Sequence, residues 1–138
     1  ACSDIQVVVP HGGTMNIYEP EQWRINAFRR FIDAGAEVVA AGHPHTLQPL
    51  EAYNGGVIVY SLGNFCYGGS RHPENATVIL SVTLSFADGV YEGLRYEVLP
   101  CYLYTTPQNN YKPELIPSTH AAYYRILGFM LNGRKSPK

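Results

Sequence analysis

The sequence predicts a mixed α/β domain (α+β in its segregation). A short parallel βαβ unit leads into a mostly antiparallel sheet, and a C-terminal helix packs on it. Three observations predict this. Apolar residues before Ala34 recur at helical spacing, whereas from Val78 onward they alternate with period two. Two short apolar runs, 5–10 and 38–41, bracket the helical stretch, which is the order strand, helix, strand. Asn54-Gly55 and Asp88-Gly89 each separate two strand-like runs, and both dipeptides suit tight hairpin turns.

Each element has its own warrant. Residues 5–10 are apolar apart from Gln6, as expected of a strand covered on both faces. Residues 20–34 read as a helix. Pro20 suits the first helical position and Glu21 the positive end of the helix dipole. Trp23, Ala27, Phe28, Phe31 and Ile32 then form one apolar face, and Gly35 stops the helix. Residues 37–41 form the next strand. Residues 50–53 and 57–62 make a hairpin through Asn54-Gly55-Gly56. Residues 68–77 are a polar loop.

Val78, Leu80, Val82, Leu84 and Phe86 share one face of the next strand, which returns through Asp88-Gly89 over 90–99. Residues 101–105 read as a further edge strand bounded by Pro100 and Pro107, and 106–117 as a loop. Ser118 is placed to cap a last helix reaching Asn132. Its stripe is Tyr123, Ile126, Leu127, Met130 and Leu131, and Gly133 ends it. The tail 134–138 is expected to fray.

The candidate chemistry sits where the two parallel strands end. The run 38–41 stops at Gly42, and His43-Pro44-His45 follows; the run 5–10 is followed by His11 and then Gly12-Gly13. The carboxyl ends of strands in α/β sheets commonly carry ligand sites, and imidazole is the commonest protein ligand for a transition metal. Pro44 restricts its own φ and is expected to push His43 toward extended geometry. A single histidine beside an apolar strand is more often a satisfied structural residue. The pair His43 and His45 after Gly42, with His11 in the equivalent position, shifts the balance toward metal ligands His11, His43 and His45. Spacing alone names no metal. Asn64, after Ser61-Leu62-Gly63, either orients a histidine or a bound anion or stabilises a turn. His72 reads as a loop residue and His120 as helix surface. No side chain is singled out as catalytic.

These residues carry a resemblance. Val8-Val9-Pro10-His11-Gly12-Gly13, the run 32–39, Gly42-His43-Pro44-His45-Thr46-Leu47-Gln48-Pro49-Leu50-Glu51 and Tyr60-Ser61-Leu62-Gly63-Asn64-Phe65 resemble the CapA-type poly-γ-glutamate capsule biosynthesis proteins. That family lies within the calcineurin-like metallophosphoesterase superfamily. The resemblance runs from about Asp4 to Phe65. It implies a partial metallophosphoesterase-like sandwich over 1–138 as one domain, the C-terminal part of a CapA-type unit whose N-terminal half lies elsewhere. It also implies a hydrolase acting on a phosphoryl-type bond with two divalent ions (Mn, Zn or Fe). His11 and His43 would bind one and His45 the other, supported by Gly42 and Asn64. Implied partners are the N-terminal half or another subunit, an anionic surface polymer or a phosphorylated small molecule, at a bacterial cell surface or its membrane. Gly12 stands where the family usually has an aromatic residue. The family's Gly-Asp element and its Asn-rich element ending in His have no counterpart in this sequence.

Composition bounds the alternatives. A chain of 138 residues is long enough for one buried core. Charged residues are 15% of it, against roughly 25% in an ordinary domain. With 11 tyrosines, that favours surface meant to be covered, so a homodimer or other oligomer is expected. A net charge of −1 argues against a nucleic-acid partner. Three scattered cysteines imply no disulfide framework. No apolar run approaches the length of a membrane span. The strand so near Ala1 is the expected look of a piece of a longer protein. Three functions follow: part of a dinuclear metallohydrolase, a non-catalytic assembly module for an anionic surface polymer, or an inactive fragment.

Overall fold

The structure is a computed structural model that describes residues 3–67, 75–106 and 108–133. Cys2, His72, most of the 68–77 loop, Pro107 and the 134–138 tail lie outside the described residues.

Two sheets and two helices form mixed α/β layers. The first sheet has the order β1 (Val7–Val8), β2 (Val38–Ala40), β4 (Gly56–Leu62), β3 (Leu47–Tyr53). β1 and β4 run parallel to β2, and β3 runs antiparallel to β4. The second sheet joins β5 (Ala76–Ala87), β6 (Val90–Tyr102) and β7 (Glu114–Leu115). α1 (Gln22–Asp33) is the crossover between β1 and β2, and α2 (Ala121–Asn132) closes the chain.

The central strand β4 has neighbours on both edges and is buried from Gly56 to Ser61. Its alternation divides the core. Val57 and Val59 join Val78, Val98, Ile126 and Met130 on the side of the second sheet and α2. Ile58 and Tyr60 join Phe28, Ile32 and Val39 under α1. A side chain on Gly56 would meet Ile32 Cδ1 at 2.8 Å and the Glu37 carbonyl at 2.9 Å, so α1 can close onto the sheet only over glycine there. The β3–β4 turn puts Asn54 at φ 44° and Gly55 at φ 82°, as an Asn-Gly hairpin requires.

Several expectations are corrected. The first strand is a two-residue edge, not a strand covered on both faces: Val7 and Val9 are 58% and 74% exposed, because β1 has a neighbour on one side only. The buried face of α1 is Arg24, Phe28 and Ile32, whereas Trp23 and Phe31 face outward. Glu21 is the N-cap residue and Pro20 precedes the helix. β3 begins at Leu47 rather than at residue 50 and includes Pro49.

β6 continues through Pro100 to Tyr102, so 101–105 is no separate strand. The added edge is β7, inside the expected loop, where Ile116 N–H donates to the Pro100 carbonyl at 2.9 Å. Phe86 leaves the apolar face because the β5–β6 register shifts between Ser85 and Phe86. Ser118 does not cap α2. A turn from Pro117 to His120 delays the helix, and His120 Nδ1 accepts from Ala122 N–H at 3.2 Å. Of the expected stripe on α2, Leu131 is exposed, and Ala122 and Phe129 are buried instead. Gly133 ends α2 at φ 60°.

Candidate functional site

The parallel pairing of β1 with β2 carries on past both strands as a bridge between His11 and Gly42. Gly42 N–H donates to the Pro10 carbonyl at 3.1 Å. Two histidines one residue out of step on adjacent parallel strands are thereby set side by side. His11 Nε2 lies 3.2 Å from His43 Nδ1, with the rings nearly perpendicular at 78°. Gly42 lies against His11: a side chain there would come into ordinary contact with His11 Nδ1 at 3.5 Å.

The loop from Gly42 to Thr46 is sharply bent. His43 has φ 96° and His45 φ 61°, so the extended geometry expected for His43 is not what the chain adopts. A bend between a parallel strand and the antiparallel strand that follows it requires a reversal, and both histidines take left-handed backbone to make it. Such backbone in a non-glycine residue costs on the order of 1–3 kcal/mol. Packing holds it in place. Pro44 is almost wholly buried, its carbonyl accepts from Asn16 N–H at 2.8 Å, and Thr46 Oγ1 donates to the Ile17 carbonyl at 2.7 Å. The segment after His11 is thus laced across the loop carrying the other two histidines.

His45 is set apart from the first pair. Its ring centre is 6.1 Å from that of His43 and 5.7 Å from Tyr67. Its Nδ1 faces Asn64 Oδ1 at 2.7 Å, and Asn64 is buried. Between the two sequence readings of Asn64, this contact is the histidine-orienting one. All three histidines therefore lie at one end of the first sheet. Among the described residues, however, no three His, Cys, Asp or Glu side chains are gathered so as to hold a single ion.

The donor set fits a metal in part. Two imidazole nitrogens sharing a tetrahedral ion at about 2.0–2.1 Å stand roughly 3.3 Å apart. His11 and His43 have that separation as a ring-to-ring hydrogen bond, which a bound ion would replace. The carboxylate that two neighbouring cations would need is not supplied by Glu51, which is held by Arg29 at 2.5 Å and by the Tyr60 hydroxyl at 2.6 Å. Burial pushes the Glu51 carboxyl up, but hydrogen bonds from Arg29 and Tyr60 and the Arg29 charge outweigh it, leaving Glu51 below the usual carboxylate range. Burial, then the bond to Glu51, raises the Tyr60 phenol. Glu21 is likewise engaged, accepting from Thr14 N–H at 3.0 Å and Thr14 Oγ1 at 2.9 Å.

Two polar residues behind the site were not singled out from sequence. Arg24 and Gln48 are both fully buried. The available signal was Arg24 standing at i−4 and i−8 from Phe28 and Ile32, a charge in line with the apolar stripe.

An apolar cavity of about 640 Å³ adjoins the site, lined by Val7, Val38, Leu62, Phe65, Val78 and Leu80 among others. It opens between the β1 edge and β5 and reaches Leu62 and Phe65, which flank Asn64. Among the described residues no helix is long and apolar enough to cross a membrane.

Residues 1–68 match the family "Bacterial capsule synthesis protein PGA_cap". The chain is 42% identical over 78 residues to the PGA biosynthesis protein CapA of Bacillus subtilis, covering 55% of this chain and 20% of that protein. It is 36% identical over 78 residues to the capsule biosynthesis protein CapA of Bacillus anthracis, covering 55% and 19%. An uncharacterised protein of Sinorhizobium fredii, y4sH, is 41% identical over 58 residues, covering 42% and 13%. The chain thus spans about a fifth of the length of the CapA relatives it matches. Over the stretch that holds His11, His43, His45 and Asn64, this chain is similar to the CapA-type bacterial capsule synthesis proteins.

Proposed function

We propose that this chain is the histidine-bearing part of a CapA-type metallohydrolase that acts on a phosphoryl-type bond during synthesis of poly-γ-glutamate capsule or a related anionic surface polymer. One observation carries the reading: His11 Nε2 and His43 Nδ1 stand 3.2 Å apart at the ends of adjacent parallel strands, the spacing of two ligands to one cation. His11 and His43 would hold one divalent ion, Mn, Zn or Fe. His45, oriented by Asn64, would face a second. Such a pair of ions, when bound, polarises a phosphoryl oxygen and lowers the pKa of a bound water. The chain's own contribution is to bring three imidazoles to one end of the first sheet. The bridging carboxylate and the remaining ligands come from another part of a CapA-type protein or from another subunit, so the described residues alone are inactive. The apolar cavity beside β1 is where that partner, or a second copy of this chain, packs. Work on a surface polymer places the intact protein at the bacterial cell surface or its membrane.

A non-catalytic assembly module for an anionic polymer is the second reading. It is favoured by the described residues gathering no three His, Cys, Asp or Glu side chains around a single ion. Three measurements on the purified chain with added Mn²⁺, Zn²⁺ or Fe²⁺ separate the readings: bound metal, hydrolysis of an aryl phosphate, and mass in solution. The expected result is at most one ion per chain, negligible turnover and a mass above that of the monomer. Two tightly held ions with metal-dependent turnover would overturn the claim that the site is incomplete. No binding of any of the three ions would favour the assembly module.

A further inference from the structure

Arg24 is fully buried, and its guanidinium reaches three segments that carry the site. Nη1 donates to Gln48 Oε1 at 2.5 Å, three residues beyond His45. Nη2 donates to the Tyr60 carbonyl at 2.7 Å, four residues before Asn64. On its third side, Arg24 lies directly beneath Gly13, two residues beyond His11. A side chain on Gly13 would meet Arg24 Cδ at 2.9 Å and Nε at 3.1 Å, and Gly13 has φ 117°. Gln48 extends the link: its Nε2 donates to the Ile17 carbonyl at 3.1 Å, in the segment that folds from His11 over Pro44. The guanidinium carbon of Arg24 stands 5.1 Å from the centre of the Phe28 ring, a cation–π contact.

A buried guanidinium is costly unless it is paired. Its nearest carboxylate, Glu21 Oε2, is 3.9 Å away, and Arg24 Nε has no hydrogen-bond partner. An apolar residue of the same length would fill this space without leaving a charge so poorly matched. What only a guanidinium supplies is a planar fork that bonds two strands while supporting a glycine loop above it.

We infer that Arg24 is a positioning residue, holding the His11 segment, the His45 segment and the Asn64 segment in one register so that His11 meets His43. This rests on the metal-site reading, but it can be tested without metal. In the metal-free chain, the NOE between the ring protons of His11 and His43 is measured for wild type, Arg24→Met and Arg24→Lys. Ile126→Val, on the buried face of α2, serves as a control for lost stability. Co²⁺ titration with visible absorption follows on the same samples.

The expected result is loss of the ring-to-ring NOE in Arg24→Met, partial recovery in Arg24→Lys, and full retention in Ile126→Val. Co²⁺ affinity should fall about tenfold in Arg24→Met, at the lower end of the loss seen for groups that orient ligands. If Arg24→Met does not fold, Arg24→Lys decides: a wild-type NOE there overturns the proposal, and a weakened one with Ile126→Val unchanged supports it. A folded Arg24→Met with an undiminished NOE also overturns it. So does a wild-type chain with no NOE, since there would be no pair to position. A wild-type chain that shows the NOE and binds no Co²⁺ removes the metal reading while the NOE series still decides the role of Arg24.

Discussion

Asn64 Oδ1 accepts from His45 Nδ1 at 2.7 Å, and this contact ties the end of β4 to the loop that leaves β2. It sets the tautomer: with its proton on Nδ1, His45 presents an electron pair on Nε2. The two residues are 19 positions apart in sequence and meet because β3 and β4 are antiparallel, with Leu47 opposite Leu62.

Asn64→Leu should therefore release the His45 ring from its fixed tautomer and orientation, while the ion held by His11 and His43 binds as tightly as in wild type. It should leave the His11–His43 contact intact. Titration with Co²⁺ or Zn²⁺, alongside histidine ring resonances of the free chain, checks both parts. Equal loss at all three histidines would show that Asn64 acts on the whole loop.

His43→Gly should raise stability by about 1 kcal/mol while removing half of the His11–His43 pair. At φ 96°, glycine is unstrained where histidine is not. A urea midpoint at or above that of wild type is the expected measurement. A clear drop would mean that the imidazole contributes more packing than its backbone costs.

Gly56→Ala should destabilise by roughly 1–3 kcal/mol, the usual cost of overpacking. The added methyl would press on Ile32 and the Glu37 carbonyl, and the carbonyl cannot rotate away. Gly55→Ala, with open space but φ 82°, separates steric cost from turn strain in the same thermal melts.

Stability should fall at both ends of the pH range through the Arg29–Glu51–Tyr60 group. The folded Glu51 carboxyl titrates below its ordinary 4.5. Its contribution is present above that value and is lost as pH falls through the lower folded value. The folded Tyr60 phenol titrates above its ordinary 10.0. Its contribution is present below pH 10.0 and fades as pH rises past it. Glu51→Gln should flatten the acid limb of a plot of urea midpoint against pH. An unchanged acid limb would place the responsible carboxylate elsewhere.

The parts of this fold that were legible in sequence are those governed by neighbours along the chain. Both hairpins, the period switch and the placement of His11 and His43 at parallel strand ends follow from local pattern. The misses depend on contacts the chain makes with itself at a distance. Arg24 was invisible because period counting admits only apolar residues to a buried stripe, and its partners Gln48 and Tyr60 lie 24 and 36 residues away. The exposure of Val7 and Val9 depends on which strand stands beside β1, and composition cannot say that. His120 resembled helix surface because an imidazole acting as an N-cap is uncommon beside Ser or Asp. The bend at His43 was missed because the rule for residues before proline describes what is common, while this loop is held in an uncommon conformation by Asn16 and Thr46.

β1 pairs through only two residues, at an open sheet edge, with a partner about thirty positions away, whereas the β3–β4 hairpin pairs along its length. Segments with so few backbone bonds open long before the whole domain does. The half of the site on His11 is carried by the piece that opens easily, and the half formed by His45 and Asn64 by one of the last to open. The amide hydrogens of Val38 and Gly42, which bond to the Gln6 and Pro10 carbonyls on the β1 side, should then exchange faster than those of β4, and His11 should part from His43 in a fully folded sheet. A partner that pairs with β1 would close that opening, so assembly and metal affinity would be two readings of a single equilibrium.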